Sequence, residues 1–125
     1  MPTTTGLVLI VDDDAAVRSA LKFALEVEGL SVRLYDGPAA LLADGNLPRR
    51  GCLVVDYRMP GMDGLQLVDT LRARRVALPV ILITGRASKQ LRRFAEDSGI
   101  SYVLEKPLSD GALVESIRSA LGTCG

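Results

Sequence analysis

The chain has 125 residues, 48% hydrophobic and 24% charged, which is the balance of one ordinary globular domain. Lys plus Arg equals Asp plus Glu at 15 each, so charge gives no reason to expect binding to nucleic acid or to a membrane surface. The absence of histidine excludes histidine-based catalysis, a phosphohistidine carrier and most zinc sites. No apolar run has the length of a membrane span, and two cysteines, Cys52 and Cys124, do not make a disulfide framework, so we expect a cytoplasmic protein.

Five short apolar runs alternate with amphipathic segments along the chain. The runs cover residues 7–11, 31–35, 52–55, 79–83 and 100–104. They are rich in β-branched residues and mostly do not alternate, which is typical of parallel strands covered on both faces. The order predicts an α/β fold, a doubly wound (βα)5 flavodoxin-like sandwich with a five-stranded parallel sheet in strand order 2-1-3-4-5.

Each run is followed by a segment with helical periodicity. Asp14 is the predicted N-cap of the first helix and Gly29 ends it, while Pro38 suits the first turn of a short second helix at 39–43. Ser109 opens the last helix. The helical stripes are Val17, Leu21, Ala24 and Leu25; Leu65, Val68 and Leu71; Leu91, Phe94 and Ala95; and Leu113, Ile117 and Leu121. We expect one domain over 6–122, with a disordered tail at 1–5 and a short tail at 123–125.

Polar residues stand at the carboxyl ends of four of the predicted strands. They are Asp12, Asp13 and Asp14 after the first strand, Asp56 after the third, Thr84 after the fourth and Lys106 after the fifth. Ligands of an open α/β sheet bind outside the carboxyl ends of the strands, where the strand order reverses. Taken singly, an acid here is most often a helix N-cap and a lysine is usually a solvated side chain. Their joint occurrence at one edge predicts a functional crevice.

Three carboxylates in one crevice repel one another, and a hard divalent cation such as Mg²⁺ or Mn²⁺ relieves that repulsion. A carboxylate nucleophile is already ionised at neutral pH and needs no general base. The cation can neutralise phosphoryl oxygens, while Lys106 and the hydroxyl of Thr84 can each bind another. The strand ends therefore suit phosphoryl transfer to an aspartate.

Four segments carry a resemblance to a known family. The segments LVLIVDDD, VVDYRMPGMDG, ILITGRA and VLEKPL, with the spacing between them, resemble the response-regulator receiver family of two-component systems over nearly the whole chain. The runs DYRMPGMDG, ITG and EKP are most similar to the FixJ-type transcription regulators, in which a receiver precedes a helix-turn-helix domain. The resemblance implies a sensor histidine kinase as phosphoryl donor and, if the chain is a fragment, a DNA-binding output domain outside it.

The resemblance also implies a role for each residue that matches the family's motifs. Asp56 would accept the phosphoryl group, with no turnover of a small molecule. Asp13 would be the main metal ligand, Asp12 would act through metal-bound water, and the carbonyl of Arg58 would complete the set. The remaining implied roles are a switch hydroxyl at Thr84, a phosphoryl-binding Lys106, a cis Lys106–Pro107 bond, and glycines at Gly61 and Gly64 for the loop that opens the third helix.

The sequence departs from the family in its switch region. The family usually has Tyr or Phe three places before the lysine, where this chain has Val103, and the aromatic Tyr102 comes one place earlier. Because strand side chains alternate between faces, Tyr102 should point away from Thr84 and Val103 should face it, unless a bulge restores the ring. The helix-four region is basic, with Arg86, Lys89, Arg92 and Arg93. We expect the switch to act through helix four, strand five and helix five, a surface that could also form a homodimer.

Three other functions compete with this interpretation. A haloacid dehalogenase-type phosphatase also uses a D-x-D motif, but its expected Thr or Val is Ala16 here, and the chain is short. A flavodoxin-like electron carrier needs a phosphate-binding loop after the first strand, where this chain has three aspartates. It also needs aromatic residues around a flavin, and this chain has no tryptophan. A degenerate receiver would lack phosphorylation residues that are all present here.

Overall fold

A computed structural model describes residues 7–122, without the side chain of Asp110. Residues 1–6 and 123–125, and with them the two predicted tails, lie outside the described residues. Strands and helices alternate throughout: β1 (Leu7–Val11), α1 (Ala15–Val27), β2 (Ser31–Tyr35), α2 (Pro38–Ala43), β3 (Gly51–Asp56), α3 (Gly64–Ala73), β4 (Val80–Thr84), α4 (Lys89–Asp97), β5 (Tyr102–Glu105) and α5 (Asp110–Gly122).

The five strands form one parallel sheet in the order β2-β1-β3-β4-β5. This confirms the predicted fold class and strand order. β2 lies on one side of β1, and β3 lies on the other. The strand order therefore reverses between β1 and β3. A crevice therefore opens at their carboxyl ends.

Side chains of alternate residues enter two separate cores. In β1, Leu9 and Val11 pack with α2, α3 and α4, whereas Val8 and Ile10 pack on the opposite face with α1 and α5. Every residue of β3 is buried, as expected of a central strand covered on both faces. The sheet is therefore a rigid platform for the groups at its carboxyl edge. Within residues 7–122, no helix combines the length and apolar character needed to cross a membrane.

Side-chain caps fix where several helices begin. Asp14 accepts from the backbone N–H groups of Ala16 and Val17, and Ser109 accepts from that of Ala112, as the sequence predicts. The third helix begins with a full capping box, in which the side chains of Asp63 and Gln66 each accept from the other's backbone N–H; this feature was not among the sequence-based predictions.

The strand boundaries differ from the prediction by one or two residues. The sequence predicts Ile100 in the fifth strand, but its N–H donates to the carbonyl of Ala95 and so closes the end of α4. It is apolar because it is buried in the core, not because it belongs to a strand. Likewise β4 begins at Val80 instead of 79, and β3 begins at Gly51 instead of 52.

Candidate functional site

The acidic residues of the first and third strands meet at the carboxyl edge of the sheet. Asp12 and Asp56 are only 3% and 7% exposed, whereas Asp13 is exposed. One carboxylate oxygen from each of the three lies within 4.8 Å of the others. Asp12 is held in place by its own turn, because the N–H of Asp14 donates to Asp12 Oδ1 at 2.9 Å. The adjacent placement of β1 and β3 is what brings these acids together.

Lys106 supplies the positive charge nearest to Asp56. Its Nζ lies 3.3 Å from Asp56 Oδ1, and its side chain is 41% exposed. Burial raises the pKa of Asp56 above its usual value, and Lys106 opposes that shift. Burial likewise raises the pKa of Asp12, with the backbone N–H of Asp14 opposing it. The two buried carboxyls therefore lack full compensation from protein groups.

The acidic cluster fits a hard divalent cation. Its donor atoms are carboxylate oxygens close enough to share one ion, and Mg²⁺ favours such ligands. The burial that raises the pKa of Asp12 and Asp56 is the cost that a bound cation would offset. Asp13 and Arg58 line the same depression beside the cluster. The residues present therefore agree with an oxygen-ligand metal site.

The loop after β3 depends on two glycines for different reasons. Gly61 has a φ of +85°, a region that favours glycine. A Cβ on Gly64 would lie 3.0 Å from the carbonyl oxygen of Asp56 and 2.8 Å from a methyl carbon of Leu82. The start of α3 can therefore approach the end of β3 closely. This places Arg58 at the rim of the crevice.

Thr84 closes the other side of the crevice. It is 4% exposed, and a depression of about 460 Å³ is lined by Asp56, Arg58, Thr84, Arg86 and Lys106 among others. The Thr84 hydroxyl donates to the carbonyl of Arg86 and accepts from its N–H, both at 3.2 Å. The predicted cis bond between Lys106 and Pro107 is present. The candidate residues at all four strand ends therefore surround one crevice.

The switch positions lie on opposite faces of β5. Val103 pairs with Leu82 and packs in the core beneath α3 and α4, on the side of the sheet that Thr84 shares by strand alternation. Tyr102 packs in the other core, toward α1 and α5. The register between β4 and β5 is regular from Ile81 to Thr84, so no bulge brings the Tyr102 ring to the face of Thr84. The four cations expected in the helix-four region, Arg86, Lys89, Arg92 and Arg93, are exposed.

Glu105 contacts the loop beside the site, although the sequence predicts no role for it. It pairs with Thr84 across β4 and β5, and its Oε2 accepts from the N–H of Ala87 at 2.8 Å. Arg18 was also missed, and its Nη1 donates to the carbonyl of Asp12 at 2.7 Å. The only sequence signal for Glu105 was its position immediately before the lysine, which does not show what its side chain contacts.

Comparison with known proteins assigns the family. The response regulator receiver domain family matches residues 8–118. Curated relatives include the transcriptional regulatory protein FixJ of Azorhizobium caulinodans, 43% identical over 90% of this chain and 54% of the relative. Another is the C4-dicarboxylate transport transcriptional regulatory protein DctR of Rhodobacter capsulatus, 40% identical over 90% of this chain and 58% of the relative. The chain thus spans little more than half the length of these relatives.

Solved structures give the same family. FixJ-N superposes with a TM-score of 0.88 at 34% identity and covers 96% of both chains. Full-length FixJ from B. japonicum superposes with a TM-score of 0.86 at 38% identity, over 97% of this chain and 60% of that one. The chain therefore belongs to the response regulator receiver domain family, as a receiver domain of a two-component response regulator of the FixJ and DctR type.

Proposed function

We propose that this domain accepts a phosphoryl group on Asp56 with the help of Mg²⁺ or Mn²⁺. The observation that carries the proposal is the meeting of three carboxylates within 4.8 Å, one of which lies 3.3 Å from the ammonium of Lys106. A nucleophile, ligands for a cation and a positive charge for the phosphoryl oxygens then share one crevice. Family membership supports it, because receivers generally use Mg²⁺ and phosphorylation.

Each residue has a chemical task in this proposal. An oxygen of Asp56 forms the bond to phosphorus as the bond between phosphorus and the donor's leaving atom breaks. Asp13, Asp12, Asp56 and the carbonyl of Arg58 would hold the cation. When bound, the cation supplies neutralisation of the charge on the phosphoryl oxygens. Lys106 binds one phosphoryl oxygen as a point charge.

Thr84 would report the new state. Its hydroxyl would turn from the carbonyl of Arg86 to a phosphoryl oxygen, and the surface formed by α4, β5 and α5 would change in response. Tyr102 lies in the opposite core and Val103 is small and stiff, so neither would move as a swinging ring does. We therefore propose that the exposed basic residues of α4 carry the signal, including to a second copy in a homodimer.

Phosphorylation by a small donor tests the nucleophile. Incubation with acetyl phosphate and Mg²⁺ should add one phosphoryl group that is stable in acid and labile in base, and Asp56→Asn should remove the labelling. Asp97→Asn, an exposed aspartate on α4, is the matched control and should be labelled like the parent. Labelling of Asp56→Asn would move the nucleophile to Asp12 or Asp13.

Metal binding is tested separately by thermal unfolding. A cation at one hundred times its dissociation constant should stabilise the fold by about 2.7 kcal/mol if it binds only the folded state. Asp13→Ala should abolish the Mg²⁺-dependent rise in Tm, and Asp97→Ala should retain it. A parent protein that does not respond to millimolar Mg²⁺ would contradict the metal site.

The wider setting follows from the relatives and is also a proposal. We infer that a sensor histidine kinase donates the phosphoryl group, and that the full-length protein carries a DNA-binding output domain for transcription control, as its relatives are named transcriptional regulatory proteins. A cytoplasmic location is the usual one for this family, and we propose it for this protein as well. Reading the gene beyond the codon for Gly125 tests the output domain: a helix-turn-helix supports it, and a stop codon would contradict it.

A further inference from the structure

The peptide unit that joins Arg86 to Ala87 is held at both of its polar ends. Its carbonyl accepts from the Thr84 hydroxyl at 3.2 Å, and its N–H donates to Glu105 Oε2 at 2.8 Å. The bond is trans, so the carbonyl and the N–H point in opposite directions from one rigid plane. Thr84 and Glu105 therefore fix the orientation of the same plane from two sides.

The strand register explains why Glu105 can do this. Glu105 lies opposite Thr84, and the N–H of Lys106 donates to the carbonyl of Thr84 at 2.8 Å. The two side chains therefore share one face of the sheet, beside the loop that leads into α4. The Glu105 side chain needs only to reach across that loop to meet the N–H of Ala87.

The Thr84 hydroxyl cannot donate its single hydrogen both to the loop carbonyl and to a phosphoryl oxygen. A hydroxyl has one hydrogen to donate, and in this structure it goes to the carbonyl of Arg86. If the Thr84 hydroxyl donates to a phosphoryl oxygen, the carbonyl of Arg86 loses its donor. Rotation of the peptide plane between Arg86 and Ala87 would let that carbonyl accept from another donor. The bond from Ala87 to Glu105 resists that turn.

We propose that Glu105 is a positioning residue for Thr84, which holds this peptide unit so that the Thr84 hydroxyl stays engaged and the phosphorylated state is opposed. The inference rests on the proposed function of Asp56 and Thr84. Because ligand binding and loop orientation are linked, a change that releases the peptide unit raises the affinity for a phosphoryl mimic.

The test measures binding of beryllofluoride, a mimic of the phosphoryl group, in the presence of Mg²⁺. Glu105→Ala should bind it about twofold to fivefold more tightly, since one exposed hydrogen bond is removed from the competing state. Glu105→Gln should stay close to the parent, because its amide oxygen still accepts from the N–H of Ala87. Glu115→Ala, which removes an exposed acid on α5, is the control and should not change the affinity.

The backbone amide of Ala87 gives a second reading by nuclear magnetic resonance. Its proton should be shifted downfield in the parent and in Glu105→Gln, and this shift should be lost in Glu105→Ala and when beryllofluoride saturates the parent. A downfield shift that persists at saturation would overturn the proposal, because the bond would then survive in both states.

The affinities separate the remaining explanations. Equal tightening in Glu105→Ala and Glu105→Gln would show that charge acts instead of the hydrogen bond and would overturn the proposal. Unchanged or weaker binding by Glu105→Ala, with normal binding by the parent, would overturn the positioning role alone. A parent protein that does not bind beryllofluoride would overturn the proposed function, and the role of Glu105 with it.

Discussion

The two ends of α4 are held by different parts of the molecule. At its carboxyl end, the residues that follow α4 are bonded to side chains of α3. The hydroxyl of Ser98 donates to Asp69 at 2.8 Å, and Arg72 donates to the carbonyl of Gly99 at 3.1 Å. These contacts lie on the scaffold side, and none of their residues lines the crevice around Asp56.

At its amino end α4 is tied to the site itself. The helix begins after Ser88, which caps the N–H of Leu91 at 3.0 Å. The loop immediately before it is the one that Thr84 and Glu105 hold. A rearrangement at Thr84 therefore reaches the amino end of α4 first, while the carboxyl end has its own anchors.

This difference separates stability from signalling in one helix. Substitutions at the carboxyl end should change the free energy of unfolding and leave beryllofluoride affinity unchanged, whereas Glu105→Ala should change that affinity.

Loss of Arg72 should be the most destabilising of these changes. Its guanidinium donates to the carbonyls of Val76, Leu78 and Gly99 at 2.9–3.1 Å. Arg72→Ala leaves these acceptors without that donor and should lower the free energy of unfolding by about 2 kcal/mol. Denaturation in urea measures the change.

The control for Arg72 is an arginine on the exposed face of α4. Arg92→Ala should change the free energy of unfolding by less than about 0.5 kcal/mol. Equal effects of the two substitutions, or a changed beryllofluoride affinity in Arg72→Ala, would contradict the scaffold role of this end.

Backbone conformation at the helix ends gives a matched pair of smaller effects with opposite signs. Gly99 after α4 and Arg75 after α3 both have a positive φ, of 76° and 65°. The backbone N–H of each donates to the carbonyl three residues earlier in the chain. Gly99→Ala should lower the free energy of unfolding by about 1 kcal/mol, and Arg75→Gly should raise it by about 0.5–1 kcal/mol.

Space does not explain the expected loss at Gly99. The nearest atom to a Cβ placed there is Nε of Arg72 at 3.6 Å, an ordinary contact. Thermal unfolding of both variants checks the signs. If Arg75→Gly destabilises the protein, side-chain contacts of Arg75 outweigh its backbone conformation.

The smallest effect should come from the bond between Ser98 and Asp69. Both groups are near the surface, so Ser98→Ala should lower the free energy of unfolding by about 0.5 kcal/mol. A double-mutant cycle with Asp69→Ala isolates the pair, and the coupling energy should be of the same size. A coupling energy of zero would remove this contact from the anchors of α4.

Much of the fold and part of the site could be predicted from the sequence. Run length, β-branched content and helical periodicity gave all five strand and helix pairs, because these signals are local. The strand-end positions of Asp12, Asp13, Asp56, Thr84 and Lys106 followed as well. Parallel strands place their carboxyl ends at one edge, so residues far apart in the chain meet there.

Only the tertiary structure decided to which element the buried Ile100 belongs and which group the side chain of Glu105 contacts. Ile100 resembles a strand residue in the sequence because buried positions are apolar in strands and helix ends alike. Only the bond from its N–H to the carbonyl of Ala95 shows that it closes a helix. The one sequence signal for Glu105, its position immediately before Lys106, did not show what its side chain contacts. Its contact with the N–H of Ala87 exists because β5 pairs with β4 in a particular register and the next loop folds back over it. A sequence pattern records which face a residue occupies, but the partner of a polar side chain is set by the packing of distant segments.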